Sequence, residues 1–227
     1  MTILVVAAHP DDEVLGCGAS MAKWSNAGIE VNVLIMAEGA TSRDKVRNRE
    51  KRVDELSALA KSARSAGKIL GVSSVQLLDF PDNRMDSVDR LEVIKAVEEH
   101  IKLLKPVTVV THHSGDLNID HRIIHEAVVT ACRPKPGNRV RRLLSFEINS
   151  STEWQPLVSA PVFHPNWFED VSKTLERKLQ ALEIYAEEMR TWPHSRSLQA
   201  VEHLARWRGS SVGYEAAEAF MLLRELC

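Results

Sequence analysis

Short apolar runs alternate with longer amphipathic stretches through the first two-thirds of the chain. The runs are nearly continuous in apolar residues and rich in β-branched ones, a pattern typical of strands buried on both faces. The longer stretches between them are typical of helices. The predicted strands are residues 3–8, 31–36, 75–78, 107–111 and 143–148, and the predicted helices between them are residues 14–24, 45–70, 86 or 87 to 104, and 119–131.

Residues at the ends of the predicted helices support this assignment. Gly28 and Gly71 suit the ends of the first two helices, Asp86 or Ser87 suits the start of the third, and Pro106 stops it. Such a βαβαβ alternation predicts an α/β fold with a parallel sheet covered by helices on both faces. Because parallel crossovers are right-handed, the expected strand order is the Rossmann-like 3-2-1-4-5.

The pattern changes at about residue 150. Tryptophans and prolines become frequent there, which predicts irregular structure wrapped over the sheet. Two further helices are predicted at residues 172–189 and 214–226. Since no repeat, low-complexity tract or linker separates this part from the rest, we expect a single domain over residues 1–227.

In the order 3-2-1-4-5, strands 1 and 4 are neighbours at the point where the chain direction across the sheet reverses. Ligands of such folds bind outside the carboxyl ends of the strands at that point. The loops that follow strands 1 and 4 carry clusters of imidazoles and carboxylates, namely His9, Asp11, Asp12, Glu13, His112, His113, Asp116, Asp120, His121 and His125. The sequence therefore predicts that two clusters distant along the chain form one site.

Imidazole and carboxylate ligands without a thiolate suit a catalytic zinc ion with an open coordination position. Iron and manganese use similar ligands and remain alternatives. Taken singly, these residues also have structural explanations: His9 suits a buried histidine, Asp120 an N-cap, and either His121 or His125 a packed helix face. Their convergence on one predicted crevice favours a functional site.

Composition limits the possible partners and the possible cellular location of the protein. A formal net charge of −2 and the absence of a basic stretch free of acids give no electrostatic signature of a nucleic-acid partner. Three widely spaced cysteines, none in a CxxC pair, indicate a reducing compartment, and the cytoplasm is the expected location. No apolar run has the length of a membrane span, and the first residues do not resemble a signal peptide.

Two motifs resemble those of a known family. The stretch His9-Pro10-Asp11-Asp12-Glu13 after the first strand and the stretch Asn118-Ile119-Asp120-His121 after the fourth are similar to motifs of the zinc-dependent PIG-L/LmbE-like de-N-acetylases. The resemblance covers most of the chain and includes residues 192–197 and 217–220. It implies a single deacetylase domain, Zn²⁺ as the cofactor and a homo-oligomer.

Carried over by position, the resemblance implies a role for each motif residue. His9, Asp12 and His121 correspond to the zinc ligands, and Asp11 corresponds to the general base that activates the zinc-bound water. Asp120 corresponds to an acid that orients or tunes a neighbouring group. The implied reaction is hydrolysis of the N-acyl, normally acetyl, group of an amino-sugar derivative.

One position departs from the family. Asn118 stands where the family commonly has a histidine that stabilises the oxyanion or protonates the leaving amine. An asparagine amide donates a hydrogen bond to an oxyanion but transfers no proton. The role of general acid then falls to Asp11, or to a histidine, for which the candidates are His112, His113 and His194.

Substrate contacts are expected from the loop after the third strand. Asp82 suits a sugar hydroxyl and Arg84 suits a phosphate or carboxylate, although a turn with an ordinary ion pair explains both equally well. His194 lies in a stretch that the family places near the site mouth. Two other functions remain open: another metal-dependent hydrolase, such as a phosphoesterase, and a sugar-binding protein with a degenerate site.

Overall fold

The structure is a computed structural model, and it describes residues 1–156 and 158–227. Its strands are β1 (Thr2–Ala7), β2 (Glu30–Ala37), β3 (Ser74–Phe80), β4 (Thr108–His112), β5 (Arg142–Phe146), β6 (Trp167–Asp170) and β7 (Ala217–Glu225). Its α-helices are α1 (Asp12–Asn26), α2 (Val53–Leu70), α3 (Arg90–Leu104), α4 (Ile119–Ala131), α5 (Leu175–Glu183) and α6 (Leu198–Ser210).

All seven strands belong to one sheet with the order β3-β2-β1-β4-β5-β7-β6. The first five are parallel to one another, which confirms the predicted order 3-2-1-4-5. Strand β1 lies between β2 and β4, so the reversal of strand order falls between β1 and β4. The carboxyl ends of these two strands therefore border one crevice.

Helices cover both faces of the sheet, as predicted. Because successive side chains of a strand point to opposite faces, Ile3 and Val5 join one hydrophobic cluster, whereas Leu4 and Val6 join the other. Residues of α1, α2, α5 and α6 fill the first cluster, and residues of α3 and α4 fill the second. Each fully buried large side chain contributes roughly 1.5–3 kcal/mol to folding, so both faces hold β1 firmly in place.

The prediction of a helix at residues 214–226 is wrong. This segment forms β7, which pairs antiparallel with β5 and with β6 and sets Phe220 opposite Phe146. A short apolar run fits the helical and the strand period equally well. The unpaired backbone groups along the edge of β5 decide the outcome, because β7 satisfies them. Strand β6, in the segment predicted to be irregular, then pairs with the far side of β7.

Three helix boundaries also differ from the prediction. Helix α2 begins at Val53 rather than at residue 45, because the arginines before it bind acidic groups outside the helix: Arg47 Nε donates to Glu38 Oε1 at 2.8 Å. Helix α3 begins at Arg90, where the Asp89 side chain accepts the Leu91 N–H at 2.9 Å. Helix α5, Leu175–Glu183, is shorter than the predicted residues 172–189.

The last third of the chain is tied to the first helix by a buried ion pair. Lys178 Nζ lies 2.6 Å from Glu218 Oε1. The same carboxylate accepts the backbone N–H groups of Ala19 and Ser20, just after α1 is kinked at Cys17. Glu218 therefore caps the second part of α1 from another part of the chain.

Among the described residues, no helix combines the length and the apolar character that crossing a bilayer requires.

Candidate active site

The crevice at the strand-order reversal is lined almost entirely by polar and charged groups and has a volume of about 210 Å³. The turn after β1, the loop after β4 and the loop after β3 all contribute to it. The main lining residues are His9, Asp11, Asp12, Ser42, Arg43, Asp82, Asn83, Asn118, His121, Ser150, Ser151, Glu188 and Arg196. The two clusters predicted to meet therefore do so in the structure.

At the base of the crevice, Asp12 Oδ2 lies 3.1 Å from His9 Nδ1 and 3.1 Å from His121 Nε2. One ligand atom from each of these three residues falls within 4.8 Å of the other two. His121 is buried, yet neither of its ring nitrogens makes a hydrogen bond of acceptable geometry. Two imidazoles and a carboxylate that crowd together in this way fit a divalent metal ion with an open position.

The charges of this triad are strongly coupled. Burial opposes the charge of Asp12, but His121 and His9 hold the pKa of its carboxyl well below the usual value. Burial likewise opposes the charge of His121, but Asp12 and Asp116 raise its pKa to about 9. The structure thus keeps a carboxylate charged inside the protein by surrounding it with imidazoles.

His121 is positioned from behind by two residues. Asp116 Oδ1 lies 3.0 Å from His121 Nδ1, and a carboxylate behind a histidine ligand fixes its ring orientation. The ring of His112 stacks on that of His121 at a centroid distance of 3.9 Å, and His112 Nε2 accepts the Ala8 N–H at 2.8 Å. Burial and the charge of His121 hold the pKa of His112 well below its usual value, so His112 is a neutral support.

Asp11 lies beside this triad in an unusual conformation. Its backbone φ of 119° lies in a region that residues other than glycine rarely adopt. Its carboxylate accepts a hydrogen bond from Arg196 Nη1 at 3.1 Å. Burial raises the pKa of Asp11 well above its usual value, with support from Asp12 and Glu13 and with opposition from Arg196. A carboxylate that binds protons readily suits a general base.

Glu13 holds the backbone of Asp11 in place. Its Oε2 accepts the backbone N–H of Asp11 at 3.0 Å, and its Oε1 accepts the hydroxyl of the buried Tyr185 at 2.7 Å. Burial raises the pKa of Glu13 to about 7. The sequence offered no role for Glu13 beyond electrostatics at the helix start, because its partner Tyr185 is distant along the chain.

Asn118 and Asp120 connect the loops. Asn118 caps α4, since its Oδ1 accepts the Asp120 N–H at 2.8 Å, and its Nδ2 donates to Asn83 Oδ1 at 2.8 Å. The Asp120 carboxylate accepts the N–H groups of Asn83 and Met85 and lies 3.1 Å from His9 Nε2. Asp120 thus holds the loop after β3 and the ring of His9 at once.

The two predicted substrate residues after β3 point in different directions. Asp82 lines the crevice, accepts hydrogen bonds from the Ser42 N–H and hydroxyl at 3.0 and 2.6 Å, and lies 3.4 Å from His9 Nε2. With His9 and Asp120 it forms a second group able to hold a metal ion. Arg84 instead donates to the backbone carbonyls of Asp44 and Lys45 and is not among the lining residues.

Two predicted histidines lie outside the crevice. His113 Nε2 is 2.9 Å from the carbonyl oxygen of Pro161, and its side chain lines a separate cavity with Phe163 and Arg208. His194 Nδ1 accepts the Arg196 N–H at 3.0 Å. His194 is therefore linked to the site through Arg196, whose guanidinium donates to Asp11. The sequence placed Arg196 in a family-like stretch but contained no sign of this contact.

The fold and the site define an α/β protein with a polar crevice at its strand-order reversal, the position where proteins of this architecture bind ligands. The chain belongs to the PIG-L family, because the family model described as GlcNAc-PI de-N-acetylase matches residues 4–132, more than half of its length. The resemblance drawn from the two motifs is thereby confirmed.

Individual proteins extend the likeness beyond the matched segment. The "Uncharacterized deacetylase YaiS" of Escherichia coli K12 is 32% identical over 176 residues, which cover 75% of this chain and 82% of that protein. The diacetylchitobiose deacetylase of Thermococcus kodakarensis is 28% identical over 202 residues, with coverages of 81% and 68%.

Among solved structures, GalB, the 4-carboxy-2-hydroxymuconate hydratase of Pseudomonas putida KT2440, superposes with a TM-score of 0.77. It is 20% identical, and the match covers 100% of this chain and 97% of GalB. At this identity the likeness concerns the fold alone. Because GalB is a hydratase, the activity of this chain has to be argued from its site and from its relatives in sequence.

Proposed function

We propose that this protein is a metal-dependent hydrolase that removes the acetyl group from an N-acetylated amino sugar. The observation that carries the proposal is the shared position of Asp12 Oδ2, which lies 3.1 Å from ring nitrogens of both His9 and His121, in the same crevice as the Asp11 carboxylate. Membership of a de-N-acetylase family and similarity to a diacetylchitobiose deacetylase support the choice of substrate.

His9, Asp12 and His121 would hold the ion, and their donor set favours Zn²⁺. When bound, such an ion acts as a Lewis acid toward the carbonyl and makes water a nucleophile near neutral pH. Asp116 and His112 keep the His121 ring in place for this task. Asp120 does the same for the ring of His9.

Asp11 would accept the proton of the attacking water, with its carboxylate oriented by Arg196. The same carboxyl group would return the proton to the nitrogen of the leaving amine. Asn118 has no proton to transfer and uses both ends of its amide in contacts with Asp120 and Asn83. His112, His113 and His194 do not line the crevice, and His112 Nε2 accepts the Ala8 N–H. One residue therefore serves as both base and acid.

We further propose that residues 1–227 form one domain. Strand β7 pairs with β5, and Glu218 of β7 caps the second part of α1, so the last third completes the sheet and the core.

The three cysteines Cys17, Cys132 and Cys227 are free thiols, which supports a reducing compartment such as the cytoplasm.

The test is an assay of acetate release from N-acetylglucosamine and diacetylchitobiose. The protein is assayed as purified, after chelation, and after addition of Zn²⁺, Fe²⁺ or Mn²⁺. We expect activity that chelation abolishes and one of these ions restores. Release of phosphate from a phosphoester, without release of acetate, would establish the phosphoesterase alternative. Saturable sugar binding without any hydrolysis by metal-loaded protein would establish the binding-protein alternative.

The ligand assignment is tested with His121→Ala. This variant is expected to lose its bound metal when it is dialysed beside the wild type, as measured by elemental analysis. His164→Ala is the matched control, because His164 is exposed and lies outside the crevice. Full metal occupancy in His121→Ala would contradict the assignment and direct attention to the group of His9, Asp82 and Asp120.

A further inference from the structure

The arginines on the crevice are already bound to carboxylates. Arg196 Nη1 lies 3.1 Å from Asp11 Oδ2, and its Nε donates to Ser150 Oγ at 3.0 Å. Arg43 Nη2 lies 2.7 Å from Glu188 Oε1. Recognition of a phosphate or carboxylate by arginine normally uses the free fork of the guanidinium. Here each crevice guanidinium already donates to a protein carboxylate.

The arginines around the crevice are also occupied. Arg84 points to the carbonyl oxygens of Asp44 and Lys45. Arg47 and Arg49 both bind the carboxylate of Glu38. A substrate anion at the mouth would therefore meet arginines that already donate to oxygen atoms of the protein.

The crevice also presents carboxylates that an anion would have to approach. Asp11, Asp12, Asp82 and Glu188 line it, against two guanidiniums. A divalent ion in the triad would bring this set of charges to neutrality and leave no excess of positive charge. Asp82 receives hydrogen bonds from the Ser42 N–H, the Ser42 hydroxyl and the Asn83 amide, and no arginine or lysine reaches it among the described residues.

The remaining lining groups suit an uncharged, hydroxyl-rich ligand. Ser42, Ser150 and Ser151 supply neutral hydroxyl groups that keep hydrogen-bonding capacity. Ser42 and Ser151 donate to carboxylates and can still accept, and Ser150 accepts from Arg196 and can still donate. The volume of about 210 Å³ is below the range of roughly 300–1,000 Å³ typical of drug-sized ligands. Space and chemistry therefore match a single sugar unit.

We propose that the crevice selects an uncharged N-acetylated amino sugar and discriminates against one that carries a phosphate or carboxylate, with Asp82 and Glu188 as the discriminating residues. The proposal rests on the proposed function for the identity of the reaction. It adds the charge class of the substrate, because a crevice without an excess of positive charge offers no counter-charge to an anion, and the nearby carboxylates of Asp82 and Glu188 repel one.

The first test compares N-acetylglucosamine with N-acetylglucosamine 6-phosphate and with N-acetylmuramic acid, which carries a carboxylate. Both kcat/KM for acetate release and calorimetric binding to the metal-loaded protein are measured. We expect the uncharged sugar to be favoured by at least about tenfold in each quantity. An anionic sugar that reacts and binds as well as the uncharged one overturns the proposal.

The second test changes one charge. Glu188→Gln releases Arg43, whose remaining partner Glu55 lies 3.4 Å away. We expect the preference for the uncharged sugar to narrow by about twofold to fivefold, since the contact is partly exposed. Glu187→Gln is the matched control, because Glu187 is exposed and does not line the crevice. An unchanged preference in Glu188→Gln removes Glu188 from the proposal.

The two measurements separate this inference from the proposed function. If no sugar releases acetate, the proposed function fails, and the binding experiment still decides the charge preference. If acetate is released but the 6-phosphate is the better ligand, the charge inference alone fails. If the uncharged sugar shows no saturable binding, the inference is overturned.

Discussion

The loop after β1 and the loop after β4 hold their side chains in different ways. The first places His9, Asp11 and Asp12 within four residues, and it does so with a strained backbone at Asp11, where φ is 119°. The second spreads its groups over residues 112–121, none of which has a positive φ. Its Asp116, Asn118 and Asp120 side chains accept backbone N–H groups or brace other site residues.

This difference suggests a division of labour. The β1 loop supplies the proposed general base, Asp11, together with two of the proposed metal ligands. Asp11 depends on distant residues to hold it, namely Arg196 and, through Glu13, Tyr185. The β4 loop supplies one proposed metal ligand, His121, which contacts Asp116 of the same loop and His112 at the end of β4. Changes at Asp11 and at the residues that hold it should therefore lower the rate of the chemical step, and changes at His121 and at the residues that hold it should lower the affinity for metal.

Asp11→Asn is expected to have the largest effect. Asparagine keeps the shape and accepts a hydrogen bond from Arg196 but cannot take a proton, so kcat should fall by about 10²–10⁴-fold. Metal content should be unchanged, because the side chain is outside the triad of His9, Asp12 and His121. Asp86→Asn, at an exposed position away from the crevice, is the control. Activity equal to that of wild type would refute the role of Asp11 as base.

Asp116→Asn tests the β4 loop. Asp116 lies 3.0 Å from His121 Nδ1, and it also accepts hydrogen bonds from Ser151 and Thr152. Loss of such a carboxylate typically lowers metal affinity or activity by about 10–100-fold. We expect a weaker metal affinity in a chelator competition, with kcat largely recovered at saturating metal. An unchanged affinity together with a low kcat would reverse the proposed division between the loops.

The sequence predicted the position of the β1 groups at the crevice, because these groups are contiguous and directly follow a buried strand. It did not predict the residues that hold these groups. Glu13 and Tyr185 are 172 residues apart along the chain, and Asp11 and Arg196 are 185 residues apart. Side-chain direction was also beyond its reach. Arg84 turns toward backbone carbonyls and lies outside the crevice, although Asp82, two residues before it, lines it.

The fold shows the same limit. The five parallel strands follow from hydrophobic pattern and crossover handedness, which act locally. Strand β7 does not, because its identity depends on the free edge of β5, which the sequence of residues 217–225 does not encode by itself. The helix boundary at Val53 likewise depends on tertiary contacts, in this case those of Arg47 and Arg49 with Asp79.

Glu13 allows the bracing of the β1 loop to be tested without touching a reacting group. Glu13→Met keeps the side-chain volume but removes both hydrogen-bond acceptors, so the Asp11 N–H loses its partner. We expect kcat to fall by about tenfold, which is less than the hundredfold loss that a displacement of about 1 Å causes. Glu13→Gln keeps one acceptor and should recover much of the loss. Crystal structures of both variants would report the φ of residue 11. A φ near 119° in Glu13→Met would contradict the bracing role.

Tyr185→Phe should have the smallest effect and probes the outermost part of the same chain of contacts. The phenylalanine ring keeps the packing of the buried aromatic ring, and only the hydroxyl that donates to Glu13 Oε1 at 2.7 Å is lost. A hydrogen bond of this kind contributes about 1–2 kcal/mol to the free energy of unfolding, which urea denaturation measures. Because Glu13 still accepts the Asp11 N–H, kcat should change by less than about threefold. The control is Tyr214→Phe, whose side chain is exposed and which should leave both quantities unchanged. If Tyr185→Phe lowered kcat as much as Glu13→Met, the Tyr185 hydroxyl would be essential for positioning Asp11. Glu13 without that hydrogen bond would then be insufficient to hold the β1 loop.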